Sequence, residues 1–381
     1  MIREADKRLF LPENLLIYIK NPKEDKNMMK KLLSLLLAGV MVLGGAATVH
    51  ADEGYELALI TDVGTIDDKS FNQGSWEGLE AYAKDNDLTC KYYKPAEKSD
   101  AACLTSIDLA VKGGAKVIVT PGFLFEYPVL EAQDKYPDVK FIIIDAAPTD
   151  PNEGQRIEKN VESIFYAEEQ AGYLAGYAAV AEGYTKLGFM GGIAVPAVIR
   201  YGYGFIQGAD AAAKELGVEE VSMKYTYVGN FDATPENNAK AAAWYNEGTE
   251  VIFACGGAVG NSVMKAAETS GGKVIGVDVD QSSESDTVIT SAMKNLGDSV
   301  YNTVKSYYDG TFEGGKSVTL TAADNGILLP METSKFEKFD QATYDKLFQG
   351  LVDGSIKVEN DTVAASATDV PADNVKVELI Q

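Results

Sequence analysis

The chain has 381 residues, of which 34 are basic and 57 acidic, giving a formal net charge of −23. This length is typical of two domains of ordinary size, and a hydrophobic fraction of 46% excludes a chain that is disordered throughout. Because a strongly acidic protein repels phosphate backbones, we expect no nucleic-acid partner.

A secretory signal peptide is predicted near the start of the chain. Residues 28–31 read MMKK, the uncharged run LLSLLLAGVMVL occupies 32–43, and a small-residue cleavage site ends at Ala51. We expect translation to begin at one of the two methionines and cleavage after Ala51 to release an exported protein. An N-terminal membrane anchor is the alternative. Cleavage would remove His50, the only histidine, and with it any His-based catalytic unit or metal site.

Three cysteines follow the predicted signal peptide. Cys90 and Cys103 are 13 positions apart, and they either pair in an oxidising compartment or pack as small apolar core residues. Cys255 is expected to be buried and unpaired. No cysteine follows the apolar run in the place where a lipid anchor would need one, so a lipid-modified N-terminus is not supported.

Short apolar runs alternate with helix-length amphipathic stretches from Tyr55 onward. The runs are rich in β-branched residues and lack polar alternation, which is typical of parallel strands buried on both faces. Alternation of such strands with helices predicts βαβ units and an α/β fold. The predicted strands are ELALIT (56–61), KVIVT (116–120), KFIIID (140–145), KLGFMG (186–191), EVIFA (250–254) and KVIGVD (273–278).

The two halves of the chain resemble each other. GLEAYAK at 78–84 matches GADAAAK at offset 130, GGAKVIV at 113–119 matches EGTEVIF at offset 134, and FIIID at 141–145 matches VIGVD at offset 133. Three matches at nearly one offset favour an internal repeat. We therefore expect two doubly wound lobes whose sheets present their carboxyl edges to a shared cleft, where α/β folds bind ligands.

The segment TDVGTIDDKSFNQGSWEGL, residues 61–79, follows the first predicted strand. Asp62 ends that strand, and the acidic residues before Ser70 are favourable at a helix N-terminus, with Ser70 a candidate cap. Phe71 and Asn72 then begin the helix at the expected cleft. Phe71 either faces a ligand there or packs in the core.

The repeat pairs these residues with partners in the second half. Phe71 maps onto Tyr201 at offset 130. The two aromatic rings would therefore face each other across the cleft and form a slot for a flat ligand ring, instead of packing in the core. Asp145 maps onto Asp278 at offset 133, and each carboxylate ends an apolar strand. Carboxylates accept hydrogen bonds from hydroxyl groups and repel phosphate, so this pattern favours a neutral, flat, polyhydroxylated ligand.

Sequence motifs for several other sites are missing. ACGGAVGNS at 254–262 lacks the ending of a phosphate-binding P-loop and is no dinucleotide fingerprint. No zinc or calcium pattern is present, and magnesium at VDVDQ, 277–281, is a weak alternative. No nucleophile lies beside a base in the sequence. We therefore expect no metal, no cofactor and no enzymatic activity.

Four segments together resemble the basic membrane protein family of substrate-binding proteins for ABC importers. They are TDVGTIDDKSFNQGSWEGL, YPDVKFIIID, EEQAGYLAGYAA (168–179) and VIGVDVDQ. The resemblance spans about 55–355. It implies a type I periplasmic-binding-protein fold, in which two lobes joined by three crossovers close on the ligand. Well-studied members bind nucleosides.

The resemblance also implies roles for individual residues. Asp62 and Asn72 would recognise the base edge, Phe71 and Tyr201 would stack on its two faces, and Gly257 and Asp278 would hold the ribose hydroxyls. Lys294 would lie near the sugar, the alternative being an exposed helix lysine, and Asp145 would be a second base or ribose contact. Many relatives have an acidic residue at the position of Tyr127, and many are lipoproteins, whereas the lipobox cysteine is missing here.

The function implied by the resemblance is nucleoside capture, with purine nucleosides expected, for an ABC importer. The partners would be its permease and ATPase subunits, with membrane association through the transporter and a monomeric protein. Alternatives are the same fold with a flavin or sugar ligand, a ligand sensor for a signalling receptor, and a nucleoside hydrolase, which the missing histidine and calcium cluster disfavour.

The expected domain boundaries follow from the same resemblance. Residues 1–51 form an N-terminal extension with the signal peptide. The first lobe comprises 55–165 and about 287–312, the second comprises 166–286 and about 313–365, and a C-terminal segment of 366–381 remains.

Overall fold

The helices and strands alternate along the chain as the apolar runs predict. In the first half they are β1 (Leu57–Ile60), α1 (Phe71–Asp85), β2 (Cys90–Tyr93), α2 (Asp100–Lys112), β3 (Val117–Pro121), α3 (Glu126–Lys135), β4 (Lys140–Ile144), β5 (Thr149–Asp150), β6 (Gly154–Gln155), β7 (Val161–Tyr166), α4 (Glu168–Ala181) and β8 (Lys186–Gly191). In the second half they are α5 (Pro196–Leu216), β9 (Val221–Tyr227), α6 (Pro235–Asn246), β10 (Val251–Cys255), α7 (Val259–Ser270), β11 (Lys273–Asp278), β12 (Val288–Lys294), α8 (Leu296–Tyr308), β13 (Lys316–Leu320), β14 (Ile327–Leu328), α9 (Gln341–Val352) and β15 (Val375–Leu379).

This architecture comes from a computed structural model that describes residues 54–380. The predicted signal peptide, its start and its cleavage site after Ala51 lie outside the described residues. Within residues 54–380, none of the helices combines the length and the apolar character that crossing a membrane would require.

Two parallel sheets form the framework. The first has the strand order β13-β7-β4-β3-β1-β2, and all its pairings are parallel. The second has the order β14-β12-β11-β10-β8-β9-β15, in which only the short β14 runs antiparallel. The six predicted strands are β1, β3, β4, β8, β10 and β11, and most of their residues are buried, as continuous apolar runs require.

The internal repeat predicted from sequence is visible in the sheets. Strands β2, β1, β3, β4 and β7 of the first sheet follow the same spatial order as β9, β8, β10, β11 and β12 of the second. The segment matches fall on corresponding elements: α1 with α5, β3 with β10, and β4 with β11. The chain therefore contains two lobes of the same topology, each built around one sheet.

Three crossovers join the two lobes. The chain passes from β7 to α4 at Ala167, from β12 to α8 at Asn295, and from β13 to β14 through residues 321–326. Helix α8 packs on α1 of the first lobe. The type I periplasmic-binding-protein architecture with three crossovers is thus the one observed.

The strand pairing corrects the expected boundaries after residue 286. Residues 288–294 form β12, which pairs with β11 in the second lobe, so their expected place in the first lobe was wrong. Residues 316–320 form β13, which pairs with β7 in the first lobe rather than the second. The crossovers come later in the chain than expected because β12 completes the second sheet before the chain returns. Part of the C-terminal segment, β15, extends the second sheet beside β9.

Helices α4 and α5 approach each other unusually closely. A Cβ added at Gly172 would lie 2.2 Å from the Tyr201 carbonyl oxygen, and one added at Gly208 would lie 1.9 Å from that of Tyr173. Only glycine fits these positions, because any side chain would collide with the neighbouring backbone. This close contact sets the distance between α4 and α5, and therefore the position of the N-terminal residues of α5 at the cavity.

The cysteines of the described residues are all free thiols. Cys103 is buried in the core of the first lobe, and Cys90 lies partly buried on β2. The two residues therefore pack as small apolar residues, and no disulfide joins them in this structure. Cys255 is buried and unpaired, as expected.

Candidate functional site

A cavity of about 590 Å³ lies between the carboxyl edges of the two sheets. Its volume is within the range of sites for small organic molecules. Both lobes contribute to its wall. The residues predicted from sequence all line it: Asp62, Phe71, Asn72, Asp145, Tyr201, Gly257, Asp278 and Lys294.

The loop after β1 holds its polar side chains in a fixed arrangement. Asn72 donates from Nδ2 to Asp62 and Asp68, both at 2.8 Å, while its Oδ1 accepts from the Asp62 amide at 3.1 Å. Desolvation in the cleft raises the pKa of Asp62 to about 6, although hydrogen bonds from Gly64 and Asn72 oppose the shift. Asp62 therefore titrates within two pH units of neutrality.

Asp68, rather than Ser70, caps helix α1. Its carboxylate accepts from the backbone amides of Ser70, Asn72 and Gln73 at 2.9–3.1 Å, which satisfies amides that the first helical turn leaves free. The Ser70 side chain makes no capping hydrogen bond. Its hydroxyl instead donates to Asp278 of the other lobe at 2.5 Å, so the candidate cap is an inter-lobe contact.

A second backbone contact also joins the lobes next to Ser70. Gln281 donates from Nε2 to the carbonyl oxygen of Lys69 at 2.6 Å, and Lys69 has a positive φ of 59°. The Lys69 ammonium lies 3.6 Å from the Glu284 carboxylate. The lobes therefore contact each other directly along the α1 end of the cavity.

Lys294 is the cationic centre of the cavity. It ends β12 and only 3% of its side chain is exposed, so the alternative of an exposed helix lysine was wrong. Its ammonium pairs with Asp145 of the first lobe and lies 3.3 Å from Glu168 and 3.8 Å from Asp278. Burial disfavours its charge, but these carboxylates, Asp145 foremost, outweigh burial and raise the pKa of Lys294.

The two strand-end carboxylates are strongly desolvated. Burial raises the pKa of both Asp145 and Asp278, and the Lys294 ammonium opposes that shift in each case. Asp145 Oδ1 is buried without a hydrogen-bond partner among the described residues. An oxygen in this condition gains a donor when a ligand hydroxyl or N–H enters the cavity, which offsets its desolvation.

Aromatic rings surround the Lys294 ammonium. Its nitrogen lies 4.9 Å from the centroid of the Phe71 ring and 5.5 Å from those of Tyr166 and Tyr201. These are cation–π distances. Phe71 is partly buried at the start of α1, so it both lines the cavity and packs against the core.

Tyr201 belongs to the core as well as to the cavity wall. Only 1% of it is exposed, and its ring contacts Phe253 edge to face at a centroid distance of 5.7 Å. The expectation that it is a cleft residue outside the core was wrong, because the close approach of α4 and α5 buries it. Its hydroxyl has no hydrogen-bond partner within the described chain.

Gly257 lies in the turn between β10 and α7 with a φ of 54°, a conformation that glycine adopts at low cost. Tyr127 does not line the cavity, but its neighbour Glu126 does. An acidic side chain is therefore present beside the position where many relatives carry one.

The profile of the family described as ABC transporter substrate-binding protein PnrA-like matches residues 55–362. The chain belongs to this family. It is 29% identical to the ABC transporter nucleoside-binding protein BmpA of Lactococcus lactis subsp. cremoris, over 85% of this chain and 97% of the relative. It is 28% identical to Basic membrane protein D of Borreliella burgdorferi, over 88% and 97% of the two chains. These matches confirm the resemblance inferred from the four sequence segments.

The fold of this PnrA-like protein also matches solved structures. A solute-binding protein of an ABC transporter system from Aeropyrum pernix K1 superposes with a TM-score of 0.69 at 22% identity, covering 80% of this chain and 92% of the other. At this identity the likeness concerns the fold alone. It agrees with the two-lobed architecture described above.

Two charged residues at or beside the cavity were not predicted from the sequence. Arg200 on α5 lines the cavity, and its guanidinium lies 3.0 Å from Glu168, whose side chain is fully buried at the start of α4. Glu168 opens the segment EEQAGYLAGYAA, one of the four segments that carry the family resemblance. A glutamate at a helix N-terminus usually caps an exposed end, so nothing local indicated its burial.

Proposed function

We propose that this protein captures nucleosides, purine nucleosides foremost, between its lobes and delivers them to an ABC permease with its ATPase. The observation that carries the proposal is one cavity that combines the aromatic ring of Phe71 with the strand-end carboxylates of Asp145 and Asp278, whose side chains are only 11% and 9% exposed. A flat base matches the ring, and sugar hydroxyls match the carboxylates. The nucleoside-binding relative supports the same ligand class.

Each part of the ligand has residues suited to it. Asp62 and Asn72 would recognise donors and acceptors on the base edge, with Phe71 on one face of the base and Tyr201 on the other. Asp278 and the backbone of Gly257 would hold the ribose hydroxyls. Lys294 and Asp145 would lie next to the sugar, where the ammonium can donate and the carboxylate can accept.

The charge of the site disfavours phosphorylated ligands. Three carboxylates, those of Asp145, Glu168 and Asp278, lie within 4 Å of one ammonium. A phosphate placed there would meet excess negative charge in a poorly solvated site, which is costly. We therefore expect nucleosides to bind much more tightly than their monophosphates, and to leave the site chemically unchanged.

Native mass spectrometry and titration calorimetry test the ligand class. The purified protein is expected to carry the mass of a nucleoside or to bind inosine and guanosine, with adenosine, cytidine and uridine as comparisons. If the protein binds riboflavin or a free sugar instead, the site is specific for another ligand class and the nucleoside assignment is contradicted. Release of free hypoxanthine from inosine during incubation would contradict binding without catalysis.

The proposed place of action is outside the cytoplasm, with the protein acting as a monomer beside its transporter. N-terminal sequencing of exported protein is expected to begin at Asp52, and a lipid-modified terminus or a start before Leu32 would contradict this. Deleting the gene is expected to abolish uptake of labelled nucleoside. Unchanged uptake with an altered transcriptional response to the nucleoside would favour a sensor.

A further inference from the structure

A chain of charges runs from the cavity into the second lobe, and its two members nearest the cavity centre, Lys294 and Glu168, are buried. The Glu168 side chain is fully buried, with Oε1 3.3 Å from the Lys294 ammonium and Oε2 3.0 Å from the Arg200 guanidinium. Arg200 continues to Asp361, whose carboxylate lies 3.0 Å from Nε. One carboxylate therefore lies between two cations that both line the cavity.

The three elements that supply these groups come from different parts of the chain. Glu168 begins α4 directly after the first crossover, Lys294 ends β12 directly before the second, and Arg200 lies in the first turns of α5. The Glu168 carboxylate is the group that contacts both cations.

Removing the charge of Glu168 has a defined consequence. Lys294 would keep only its carboxylate partners at the sugar end of the cavity, Asp145 and Asp278. The ammonium already pairs with Asp145 and would then be drawn toward Asp278, 3.8 Å away, because the like charge of Arg200 repels it and the charge of Glu168 no longer attracts it. A direct ion pair with the ammonium would leave the Asp278 carboxylate less able to accept a hydrogen bond from a ligand hydroxyl.

We propose that Glu168 is a positioning residue of the binding site, which keeps the Lys294 ammonium, already paired with Asp145, from moving closer to Asp278, 3.8 Å away. It acts through Lys294 and touches no ligand itself, since Glu168 is not part of the cavity wall. The inference rests on the proposed function for its ligand, but the ion chain itself is independent of which molecule binds.

A double-mutant cycle on inosine binding tests the proposal. Glu168→Gln is expected to weaken binding at least tenfold in an otherwise unchanged protein and less than threefold in a Lys294→Met background. The loss should be larger for inosine than for 2′-deoxyinosine, because the sugar carboxylates are the groups affected. An equal loss in both backgrounds, or wild-type affinity for Glu168→Gln, would overturn the proposal.

Two further variants keep the test interpretable. Glu215→Gln removes a carboxylate from α5 that pairs with Tyr177 and Lys346 far from the cavity wall, and it is expected to leave affinity unchanged. If Glu168→Gln does not accumulate as folded protein, Glu168→Asp replaces it. This variant keeps the charge but cannot reach both cations, and a loss of at least threefold is expected only when Lys294 is present.

A ligand-free measurement separates this inference from the proposed function. In urea unfolding, the effect of Glu168→Gln on the unfolding equilibrium constant is expected to be at least tenfold smaller in the Lys294→Met background. Additive effects would overturn the positioning role whether or not nucleosides bind. If wild-type protein binds no nucleoside while the unfolding cycle shows coupling, the proposed function fails, and the ion pair between Glu168 and Lys294 is shown to act on folding alone, which overturns the positioning role as well.

Discussion

Asp145 and Asp278 are structural counterparts that meet at a single ammonium. Asp145 follows β4 and Asp278 ends β11, and both have left-handed backbone conformations, with φ of 57° and 66°. Both lie within 4 Å of Lys294 Nζ. Because β4 and β11 are equivalent strands of the repeated lobes, the same turn delivers a carboxylate from each side of the cavity.

Asp278→Asn is expected to reduce discrimination between ribonucleosides and 2′-deoxyribonucleosides. A hydrogen bond from a hydroxyl to a carboxylate contributes roughly 1.5–3 kcal/mol, and the deoxy analogue leaves that carboxylate unpaired. The wild-type protein should therefore prefer guanosine to 2′-deoxyguanosine by about tenfold or more. Competition titrations with guanosine, 2′-deoxyguanosine, guanine and guanosine monophosphate measure the gap in both proteins.

The matched control for this substitution is Asp280→Asn, two residues further along. Asp280 accepts hydrogen bonds from Ser282 and Thr333 and does not line the cavity. The control should keep the full ribose preference. Equal affinity of the wild-type protein for nucleoside and monophosphate would contradict the ligand assignment while leaving the fold untouched.

Nucleoside affinity is expected to fall as the pH is lowered from 7 to 5. Burial raises the pKa of Asp62 to about 6, and a base N–H would bind its ionised form. Protonation then competes with the ligand, and affinity should fall up to about tenfold per pH unit below 6. Calorimetry across this range measures the slope, and Asp62→Asn should bind weakly with little pH dependence.

The raised pKa of Asp62 is expected to make the ligand-free protein more stable as the pH falls, whereas nucleoside affinity is expected to decrease. Between about pH 4 and 6 the folded state binds the Asp62 proton more tightly than the unfolded state does. The contribution of Asp62 to the free energy of unfolding therefore increases as the pH falls through 6.

For the affinity prediction, a nucleoside affinity that rises on acidification would show instead that the protonated carboxyl of Asp62 donates to the ligand.

Replacing the two cavity aromatics by alanine is expected to have different effects, mainly on nucleoside affinity for Phe71 and mainly on folding stability for Tyr201. Phe71→Ala should weaken nucleoside binding by roughly 1–3 kcal/mol, the scale of one stacked base face, with a small change in melting temperature. Tyr201→Ala should instead destabilise the fold by about 3–5 kcal/mol, as is typical for a large core aromatic. Calorimetry and thermal melts on both variants measure the two effects.

Tyr201→Phe provides the control for the second aromatic. It keeps the ring and removes only the hydroxyl, which has no hydrogen-bond partner among residues 54–380. Stability and affinity should both stay close to those of the wild type. A large loss of affinity in Tyr201→Phe would show that the hydroxyl contacts the ligand and that stacking is not its main contribution.

All three cysteines of the exported protein are expected to be free. Burial raises the pKa of Cys103 to about 11 and also raises the pKa of Cys255, so both thiols should react slowly in the folded protein. Titration in denaturant without reductant should count three thiols. A count of one would show that Cys90 and Cys103 pair after export.

Sequence patterns predicted the inner strands better than the outer ones. Strands such as β3 and β10 are buried throughout and therefore read as continuous apolar runs. Strands β2 and β13 form the two edges of the first sheet, where about half of their residues face solvent. Their polar residues break the apolar run, so the sequence alone does not distinguish them from loops.

The sequence by itself determined which residues end the inner strands, and in a parallel α/β fold that places Asp62, Asp145 and Asp278 at one cleft. Only the tertiary structure decided how deeply helical side chains are buried. Glycines such as Gly172 let α4 and α5 pack backbone to backbone, which puts Glu168 and Tyr201 in the interior. That burial depends on contacts between helices distant in sequence, so no local pattern around either residue encodes it.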